Sequence, residues 1–434
     1  MKKILLLTLP IFVSLSAQDL KTSVEEVLST NPIVLERLQN YNSTKTDITV
    51  AQAGYYPSLD LKLGGGLDNL DNEPVQQDGD TLNTYEGSLR YTQNIFKGFE
   101  TSSEVDVQKN KSASAAYSYI EKANDTSFKM VDTYLKVMKN IELEGTSKKN
   151  VEINEKILVK VQKLYETGLT TLSEVNKIKS SLSLARTNLM VQENTLRDSQ
   201  YSLKKVLGKE LDADAMSKPI LSTTFPLTLD EALAFAKQNN PSLLVSDYNI
   251  KLAKAAKEGK KSFYYPALDL ELSALTDDNG NGLDINHKDE YKAMAYISYN
   301  IFRGFSDQAS LEKSTTYIQQ EIQKKHELQR QVEEGMNLSW LSYSTLQDQL
   351  DELEEYKKFS LKTLELYSKE YELGRRSLLD LLTAQNDYIG AQAKIITTDY
   401  NLLFAKYRVL DSMGTLVSTV MGNQDYIDNK VDFK

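Results

Sequence analysis

Two stretches of the chain alternate between apolar and polar positions. Leucine occupies every second position over 59–63, and the same alternation covers 268–272. A period of two is typical of a β-strand with one apolar face. Each stretch is followed by a polar loop rich in Gly, Asp and Asn and then by a second β-like stretch. We therefore predict two β-hairpins, over about residues 57–95 and 266–301.

The remaining sequence has the pattern of long helices. Proline is absent from 76–218 and from 267–434, and glycine is rare over 100–167 and 306–373. A helix of about 68 residues is ~100 Å long, which no compact domain accommodates. We predict long helix pairs over about 97–207 and 303–412. Apolar residues recur in the first pair at the intervals of three and four that coiled coils use: Leu172, Val175, Ile178, Leu182, Ala185 and Leu189.

The hairpins and helices belong to a duplicated unit. Three short motifs recur in the same order, 206 to 209 residues later: Asn31-Pro32 as Asn240-Pro241, NIFKGF (94–99) as NIFRGF (300–305), and YETGLTTLSEV (165–175) as YELGRRSLLDL (371–381). Such a repeat indicates two copies of one structural unit. We divide the chain into a signal peptide at 1–17, a first repeat at 18–225, and a second repeat at 226–434 that ends in a C-terminal tail.

The N-terminus has the pattern of a secretion signal. Lys2 and Lys3 precede an apolar run over 4–15, and Ser16-Ala17 supplies the small residues of a cleavage site. This run is shorter than the ~20 residues of a transmembrane helix. We therefore predict an exported chain without a transmembrane helix.

Four alternating strands of about ten residues have the length of tilted membrane strands. An open sheet has unpaired edges, which lipid does not tolerate, and membrane barrels contain at least ~8 strands. Several copies of the chain would therefore have to share one barrel. The alternative is a pair of soluble hairpins that cap a helical bundle and bury their aromatic residues. Aromatics at the strand ends near the helices favour a membrane-interface girdle: Tyr55, Tyr56, Tyr91, Phe96, Phe99, Tyr264, Tyr265, Tyr299, Phe302 and Phe305.

Composition and motifs argue against several classes of function. The net charge of −10 argues against a nucleic-acid partner, and the absence of Cys excludes disulfides and Cys-ligated metals. We find no catalytic motif or phosphate loop, and we predict no enzyme activity, cofactor or metal site. The segment DDNGNGLD at 277–284 resembles the start of a calcium loop. However, Lys288 stands where a bidentate Glu is required, which favours a simple hairpin turn.

One turn joins the long helices of each repeat. Gly168 and Gly374 suit the end of the first helix, and nearby Ser and Thr residues suit the start of the next. Glu174 and Asp380 would then lie in the first turn of that helix, where a negative charge is favourable. Helix capping by itself accounts for these residues, and a further role stays open at this point.

Taken together, the motifs resemble the TolC family of outer-membrane ducts, which serve efflux pumps and type I secretion systems. The resemblance covers nearly the whole mature chain. It rests on EAL…NNP at 231–241, Tyr-Tyr-Pro before each first strand, NIF-basic-Gly-Phe after each hairpin, and the Tyr-x-x-Gly turns. It implies a mainly α fold with a small β part: a tunnel of long helices, and two hairpins per chain in a shared trimeric 12-stranded outer-membrane barrel.

The resemblance also implies a function. It implies a passive homotrimeric channel in outer-membrane lipid that exports proteins or small toxic molecules, with a periplasmic adaptor and an inner-membrane transporter as partners. A rival hypothesis is an exported structural coiled-coil or adhesin-type protein, and a secreted enzyme is more remote. The structural protein would not need two membrane-length hairpins with aromatic borders, and the sequence lacks the active-site residues of an enzyme.

Two sets of residues at the turns follow from the resemblance. The turns would form a periplasmic tip that docks the adaptor through Gly168, Leu169, Thr170, Gly374, Arg375 and Ser377. A gate latch would link Tyr371 and Arg376 to the facing turn, through Ser173, Glu174, Tyr371, Arg376 and Asp380. The family has a second acidic residue three positions after Asp380, where this chain has Thr383. The resemblance therefore gives no basis for predicting a cation site at the tip.

Overall fold

A computed structural model describes residues 19–69, 81–221, 225–278, 287–423, 426 and 430–431. The predicted signal peptide and most of the segment that resembles a calcium loop lie outside these residues. The elements of the first half are α1 (Leu20–Thr30), α2 (Pro32–Gln52), β1 (Ser58–Asn69), β2 (Thr81–Lys97), α3 (Glu100–Glu166) and α4 (Leu172–Leu207). Those of the second half are α5 (Leu229–Asn239), α6 (Pro241–Lys260), β3 (Ala267–Asp278), β4 (His287–Ser298), α7 (Ser306–Glu372), α8 (Leu378–Met413) and α9 (Leu416–Met421). The mainly helical fold with two hairpins is confirmed.

An Asn-Pro pair separates the first two helices of each half. Asn31 ends α1 and caps α2, and Pro32 fills the first position of α2, where no backbone N–H is needed. The Asn31 side chain also donates to the carbonyl of Val206 in α4, at 3.1 Å. Asn240 repeats this contact with the carbonyl of Ser412 in α8, at 3.0 Å. The motif therefore ties the start of each half to the end of its own long helices.

The four strands form one antiparallel sheet in the order β1-β2-β3-β4, so that the two halves meet at its centre. Cross-strand partners point to the same face, and the register pairs Leu61 with Leu89, Leu89 with Ala274, and Ala274 with Tyr291. One face of the sheet is therefore apolar. The β1 leucines on this face stay largely exposed in the protomer, at 67, 68 and 75% for Leu59, Leu61 and Leu63.

The opposite face of the sheet is polar and internally paired. Lys62 lies 3.1 Å from Glu86, and Arg90 lies 3.5 Å from Glu271. The amide of Asn94 donates to Asp269 at 2.7 Å. These contacts join β1 to β2 and β2 to β3. The sheet thus has one face suited to apolar surroundings and one suited to water.

Strands β2 and β4 carry the same terminal motif but end differently. β2 continues to Lys97, which pairs with Ala267 of β3, with a bulge between Asn94 and Phe96. β4 stops at Ser298, which is also the partner of Ala267. β4 therefore ends three residues before residue 301, the predicted end of the second hairpin. β3 begins at Ala267, so it has no residue with which 299–301 could pair.

A sharp backbone reversal joins the sheet to the long helices. Gly98 and Phe99 have φ of 60° and 65°, and Gly304 and Phe305 repeat this with 62° and 65°. The left-handed conformation is ordinary for glycine but costs a residue with a Cβ about 1–2 kcal/mol. The chain therefore accepts local strain at the same point in both halves in order to turn from strand into helix.

The long helices pack as two antiparallel hairpins, α3 with α4 and α7 with α8. Two separate apolar clusters join these hairpins. The large cluster gathers α1, α3, α4, α8 and α9 around buried side chains such as Tyr119, Met130 and Tyr134. The tip cluster lies near the turns and consists of Val161, Val175, Ile178, Tyr371, Leu378, Leu381 and Leu382. None of the described helices has the length and apolarity of a membrane-spanning helix.

Gly98 and Gly304, the glycines of the two strand-to-helix reversals, allow a matched test of the backbone strain at these turns. A Cβ at Gly98 would lie 2.5 Å from the Ser262 carbonyl oxygen, whereas a Cβ at Gly304 meets open space. We expect Gly304→Ala to cost about 1–2 kcal/mol through the backbone conformation alone. Gly98→Ala should cost more, because the Ser262 backbone must also move. Thermal unfolding followed by circular dichroism measures both variants, and equal losses would contradict the close contact at Gly98.

Candidate functional site

The two tip turns share one backbone conformation. Gly168 and Gly374 have φ of 72° and 70° directly after α3 and α7. Thr171 caps the N-terminus of α4, and Ser377 caps that of α8. Ser377 and Asp380 form a complete capping box, in which each side chain binds the other residue's backbone N–H. The capping interpretation of the turns is therefore confirmed.

Tyr371, in the last turn of α7, contacts the first turn of α4. Its hydroxyl donates to a carboxylate oxygen of Glu174 at 3.5 Å, and the same oxygen accepts a hydrogen bond from Thr170. The Tyr371 ring belongs to the tip cluster and is only 9% exposed. Burial and the negative charge of Glu174 raise the pKa of Tyr371 to about 12. The hydroxyl therefore stays protonated and available as a donor at neutral pH.

Arg376 has a different partner from the one that the resemblance implied. Its Nε donates to Glu370 at 2.7 Å, and its guanidinium lies 4.2 Å over the ring of Tyr367. Both partners belong to α7, because the turn folds Arg376 back over the end of the helix it follows. Within one protomer Arg376 therefore contacts α7 and not Ser173 or Glu174, and the latch between facing turns stays a prediction. The pair with Glu370 is solvent-exposed, and such pairs are worth ~0–1 kcal/mol.

The predicted docking residues lie at the outer end of the turns. Leu169 is 75% exposed, and Gly168, Gly374, Arg375 and Ser377 are exposed as well. Thr170 is half-buried, since its hydroxyl binds Glu174. Tyr165 of the turn motif is also exposed, and so is Leu172, which the sequence analysis placed in the apolar series of α4. The sequence analysis did not single out two further exposed apolar residues of this surface, Leu373 and Leu379. Their positions beside the glycines could have drawn attention to them.

An ion pair between the two hairpins was also missed. Lys160 of α3 lies 2.7 Å from Glu372 of α7, although the two residues are 212 positions apart. No local pattern predicts this pair, since its members meet only when the two hairpins pack side by side.

Aromatic residues surround the junction between sheet and helices. The ring centroids of Phe96 and Phe99 lie 5.2 Å apart, and those of Phe99 and Tyr265 lie 5.4 Å apart. Phe302 and Phe305 repeat this edge-to-face contact at 5.4 Å. These contacts support the strained Gly-Phe turns from one side.

The ten aromatic residues predicted for the membrane interface, which we call the aromatic belt, mostly face outwards. Tyr91 and Phe96 are half-buried within β2, where Tyr91 lies opposite Leu59 on the apolar face. The remaining eight residues are exposed: Tyr55, Tyr56, Phe99, Tyr264, Tyr265, Tyr299, Phe302 and Phe305. Their exposure contradicts the alternative in which these rings form the core of a soluble bundle.

Within the part of the chain that the structure describes, no group of three His, Asp or Glu side chains has a metal-binding arrangement. His326 is exposed and lies 3.2 Å from Gln329 on the same helix. Several charged groups of the tip and of the sheet pair with one another, such as Lys160 with Glu372 and Lys62 with Glu86.

The sequence comparison covers both halves of the chain. A family model described as outer membrane efflux protein matches residues 23–209 and 233–415. The chain belongs to the outer membrane efflux protein family. This family consists of outer-membrane efflux channels, which are not enzymes. Relatives include the outer membrane efflux protein BepC of Brucella suis, 20% identical over 389 residues that span 89% of this chain and 82% of BepC. TolC of Escherichia coli is 20% identical over 426 residues, which span 94% of this chain and 85% of TolC.

Solved structures share the fold of this family member. The CmeC outer membrane channel of Campylobacter jejuni aligns with a TM-score of 0.80 at 13% identity, over 95% of this chain and 90% of CmeC. The outer membrane protein VceC of Vibrio cholerae aligns with a TM-score of 0.78 at 14% identity, over 91% of this chain and 96% of VceC. The long helices with two hairpins are therefore the fold of TolC-like channels.

The Tyr371–Glu174 contact has a testable pH dependence. The pKa of Tyr371 is raised from 10.0 to about 12, so the protonated hydroxyl stabilises the folded state. This contribution is complete below pH 10 and is lost as the pH rises through about 12. We expect the stability advantage of the wild type over Tyr371→Phe to shrink across that interval, in denaturant titrations at each pH. Tyr367→Phe is the control, and a constant difference for Tyr371→Phe would contradict the contact.

Proposed function

We propose that this chain is one protomer of a passive homotrimeric outer-membrane duct. Three copies would place twelve strands in one barrel and continue as a helical tunnel across the periplasm. The single observation that carries this proposal is the sheet of one protomer, which is open at both edges and has an exposed apolar face.

The repeat indicates what completes the sheet. The last residues of β2, 93–97, pair with β3, which belongs to the other half of the chain. The equivalent residues after β4 are 299–303, and β1 lies at the opposite edge of the sheet. By the logic of the repeat, 299–303 would pair with β1 of a second copy. Closure by three copies gives twelve strands, which exceeds the ~8 strands of the smallest membrane barrels.

The two faces of the sheet support the same assembly. The leucine-rich face would meet lipid, and the face with the Lys62–Glu86 and Arg90–Glu271 pairs would line a water-filled lumen. The aromatic belt would lie at the inner headgroup region, where rings with one apolar and one polar side are favoured. A structural coiled-coil protein in water would have no use for such a face, and this argues against the rival hypothesis.

The helices would cross the periplasm, and the tip turns would meet a periplasmic adaptor and an inner-membrane transporter. Exposed apolar residues at the tip, such as Leu169 and Leu373, are suited to burial in a partner. Ser173, Glu174, Tyr371, Arg376 and Asp380 would form the latch between facing turns. Arg376 would have to exchange its weak exposed pair with Glu370 for a partner in a neighbouring copy. The exported substrates would be proteins or small toxic molecules.

The assembly has a direct test. The mature chain, extracted in detergent, should have the mass of three copies by light scattering corrected for bound detergent. It should also conduct ions weakly in a planar bilayer, because the tip narrows the tunnel. A water-soluble monomer without conductance would refute the duct.

The aromatic belt offers a second test. Phe96→Asp combined with Phe302→Asp would place charges near the lipid headgroups, at a cost of about 0–1 kcal/mol per site near an interface and more at greater depth. Three copies multiply this cost, so we expect loss of the outer-membrane trimer with helicity retained by circular dichroism. Phe359→Asp is the control, since Phe359 is 59% exposed on α7, away from the belt. Normal trimer levels in the double variant would show that the belt lies outside the membrane interface.

A further inference from the structure

The two helical hairpins are joined by apolar residues at two levels, with a polar interior between them. In α3 the large cluster ends near Ile141, and the tip cluster begins near Ile157. In α8 the tip cluster ends at Leu382, and the large cluster resumes near Ile396. The apolar clusters of the long helices are therefore discontinuous. The buried apolar residues of the middle section are Leu182, Ala185, Ala384 and Ala391, which are mostly small and belong to neither cluster.

Amide and hydroxyl side chains fill this middle section. Gln385 of α8 donates to the side-chain oxygen of Asn150 in α3 at 2.9 Å. Asn154 donates to the same Asn150 oxygen at 3.1 Å and accepts from Ser181 of α4 at 2.8 Å. Three helices thus meet through one polar network, which we call the amide layer: Asn150, Asn154, Ser181 and Gln385.

The amide layer is incompletely satisfied. Gln385 is only 1% exposed, yet its side-chain oxygen is buried and has no hydrogen-bond partner within the described protomer. A buried acceptor without a partner is unfavourable, and it gains a hydrogen bond when water reaches it. The packed arrangement of the layer is therefore less stable, relative to an opened one, than apolar packing would be.

The two helices that the Asn150–Gln385 bond joins, α3 and α8, each contain a glycine at the same height along the bundle. Gly145 precedes Asn150 by five residues in α3, and Gly390 follows Gln385 by five residues in α8. Because the two helices are antiparallel, both glycines lie about 7.5 Å from the Asn150–Gln385 bond, on the side of the large cluster. The duplication of the sequence does not explain this, since α3 and α8 are not equivalent elements of the two repeats.

Packing within the protomer does not require either glycine. A Cβ built at Gly145 or at Gly390 meets no atom within 4 Å, and neither residue is recorded with a positive φ. Glycine in a helix interior is nevertheless less favourable than alanine, because it loses more backbone freedom on folding. Both glycines therefore weaken their helices beside the amide layer, in the section between the two apolar clusters.

We propose that Gly145 and Gly390 form a paired hinge above the amide layer, at which the tip segments of the two hairpins swing relative to the large cluster. The large cluster anchors the helices on one side of the hinge. On the other side the hairpins are held together by the tip cluster and by contacts such as Lys160–Glu372 and Tyr371–Glu174. Opening at the hinge admits water to Gln385 and bends each helix at its glycine. This motion belongs to the protomer and does not depend on the proposed duct function.

Because the chain contains no cysteine, spin labels can be attached at pairs of introduced cysteines, and the distance within each pair reports on movement at the hinge. Glu166→Cys with Lys369→Cys reports on the tip ends of α3 and α7, and both positions are exposed. Lys129→Cys with Asn401→Cys reports on the anchored side, between α3 and α8. Pulsed electron resonance on the full chain in detergent, diluted with unlabelled chain, gives the distance distribution for each pair.

We expect a broad distribution at the tip pair that narrows at least twofold when Gly145→Ala and Gly390→Ala are combined. The distribution at the anchored pair should not change. Gly335→Ala is the matched control, because Gly335 is also a helical glycine with open space around its Cβ but lies beside the buried Met336 rather than near the amide layer. The control variant should leave the tip distribution as broad as in the wild type.

A second variant tests the amide layer without altering a glycine. Gln385→Met removes the unpartnered oxygen and the bond to Asn150, whose oxygen keeps its bond from Asn154, while the side-chain size is preserved. This variant should also narrow the tip distribution. It should slow hydrogen exchange of the backbone amides over 142–156 at least tenfold, because opening no longer satisfies a polar group. An unchanged tip distribution in both sets of variants would overturn the hinge. Loss of the native oligomer on alanine substitution would also overturn it, since the glycines would then serve contact between copies.

Discussion

The register of the four-stranded sheet is the constraint on which the other features depend. It brings leucines of both hairpins to one face and ion pairs to the other, and it leaves β1 and β4 as open edges. A one-residue slip in any strand would mix the two faces, so the register is strongly specified. The exposed leucines and the open edges can be satisfied only outside the protomer. This requirement links the local pattern of two hairpins to the shared barrel in lipid that we propose.

The junction between sheet and helix follows from the same constraint. The strands must stop at a defined level, and the chain must turn there into helices of 67 residues. The Gly-Phe reversals perform this turn at the cost of a left-handed phenylalanine in each half. Edge-to-face contacts between Phe96 and Phe99 and between Phe302 and Phe305 stabilise the reversals. The rings that flank the reversal are also the rings of the proposed membrane interface.

The long helices differ from a uniform coiled coil. Along the hairpins two apolar clusters are separated by a section in which buried amide and hydroxyl groups lie among small apolar residues, and this section separates an anchored region from the tip. At the tip, the buried Tyr371 and the carboxylate of Glu174 hold facing turns together within one protomer. Arg376 instead pairs with Glu370, in a weak exposed contact that a partner could replace. The tip therefore contains a part-buried contact, between Tyr371 and Glu174, and an exposed ion pair, between Arg376 and Glu370.

Local pattern was sufficient to predict the strands and the long helices, because a strand or helix face repeats every two, three or four residues and because Pro and Gly interrupt helices. Recurring short motifs were sufficient to predict the two repeats. The capping of the turns was also predictable, since Gly168, Ser377 and Asp380 act on their immediate neighbours. Contacts between distant helices were not predictable from local pattern. Lys160–Glu372 and Asn150–Gln385 depend on how the hairpins pack, which no short spacing encodes. The partner of Arg376 is a local one, Glu370, six residues earlier at the end of α7, and it was missed because the resemblance pointed to the facing turn. The sequence by itself thus determined the elements, their order and the apolar face of the sheet. Only the tertiary structure decided which side chains meet, because hydrogen bonds and ion pairs require distances of a few ångströms that are set by the packing of whole helices.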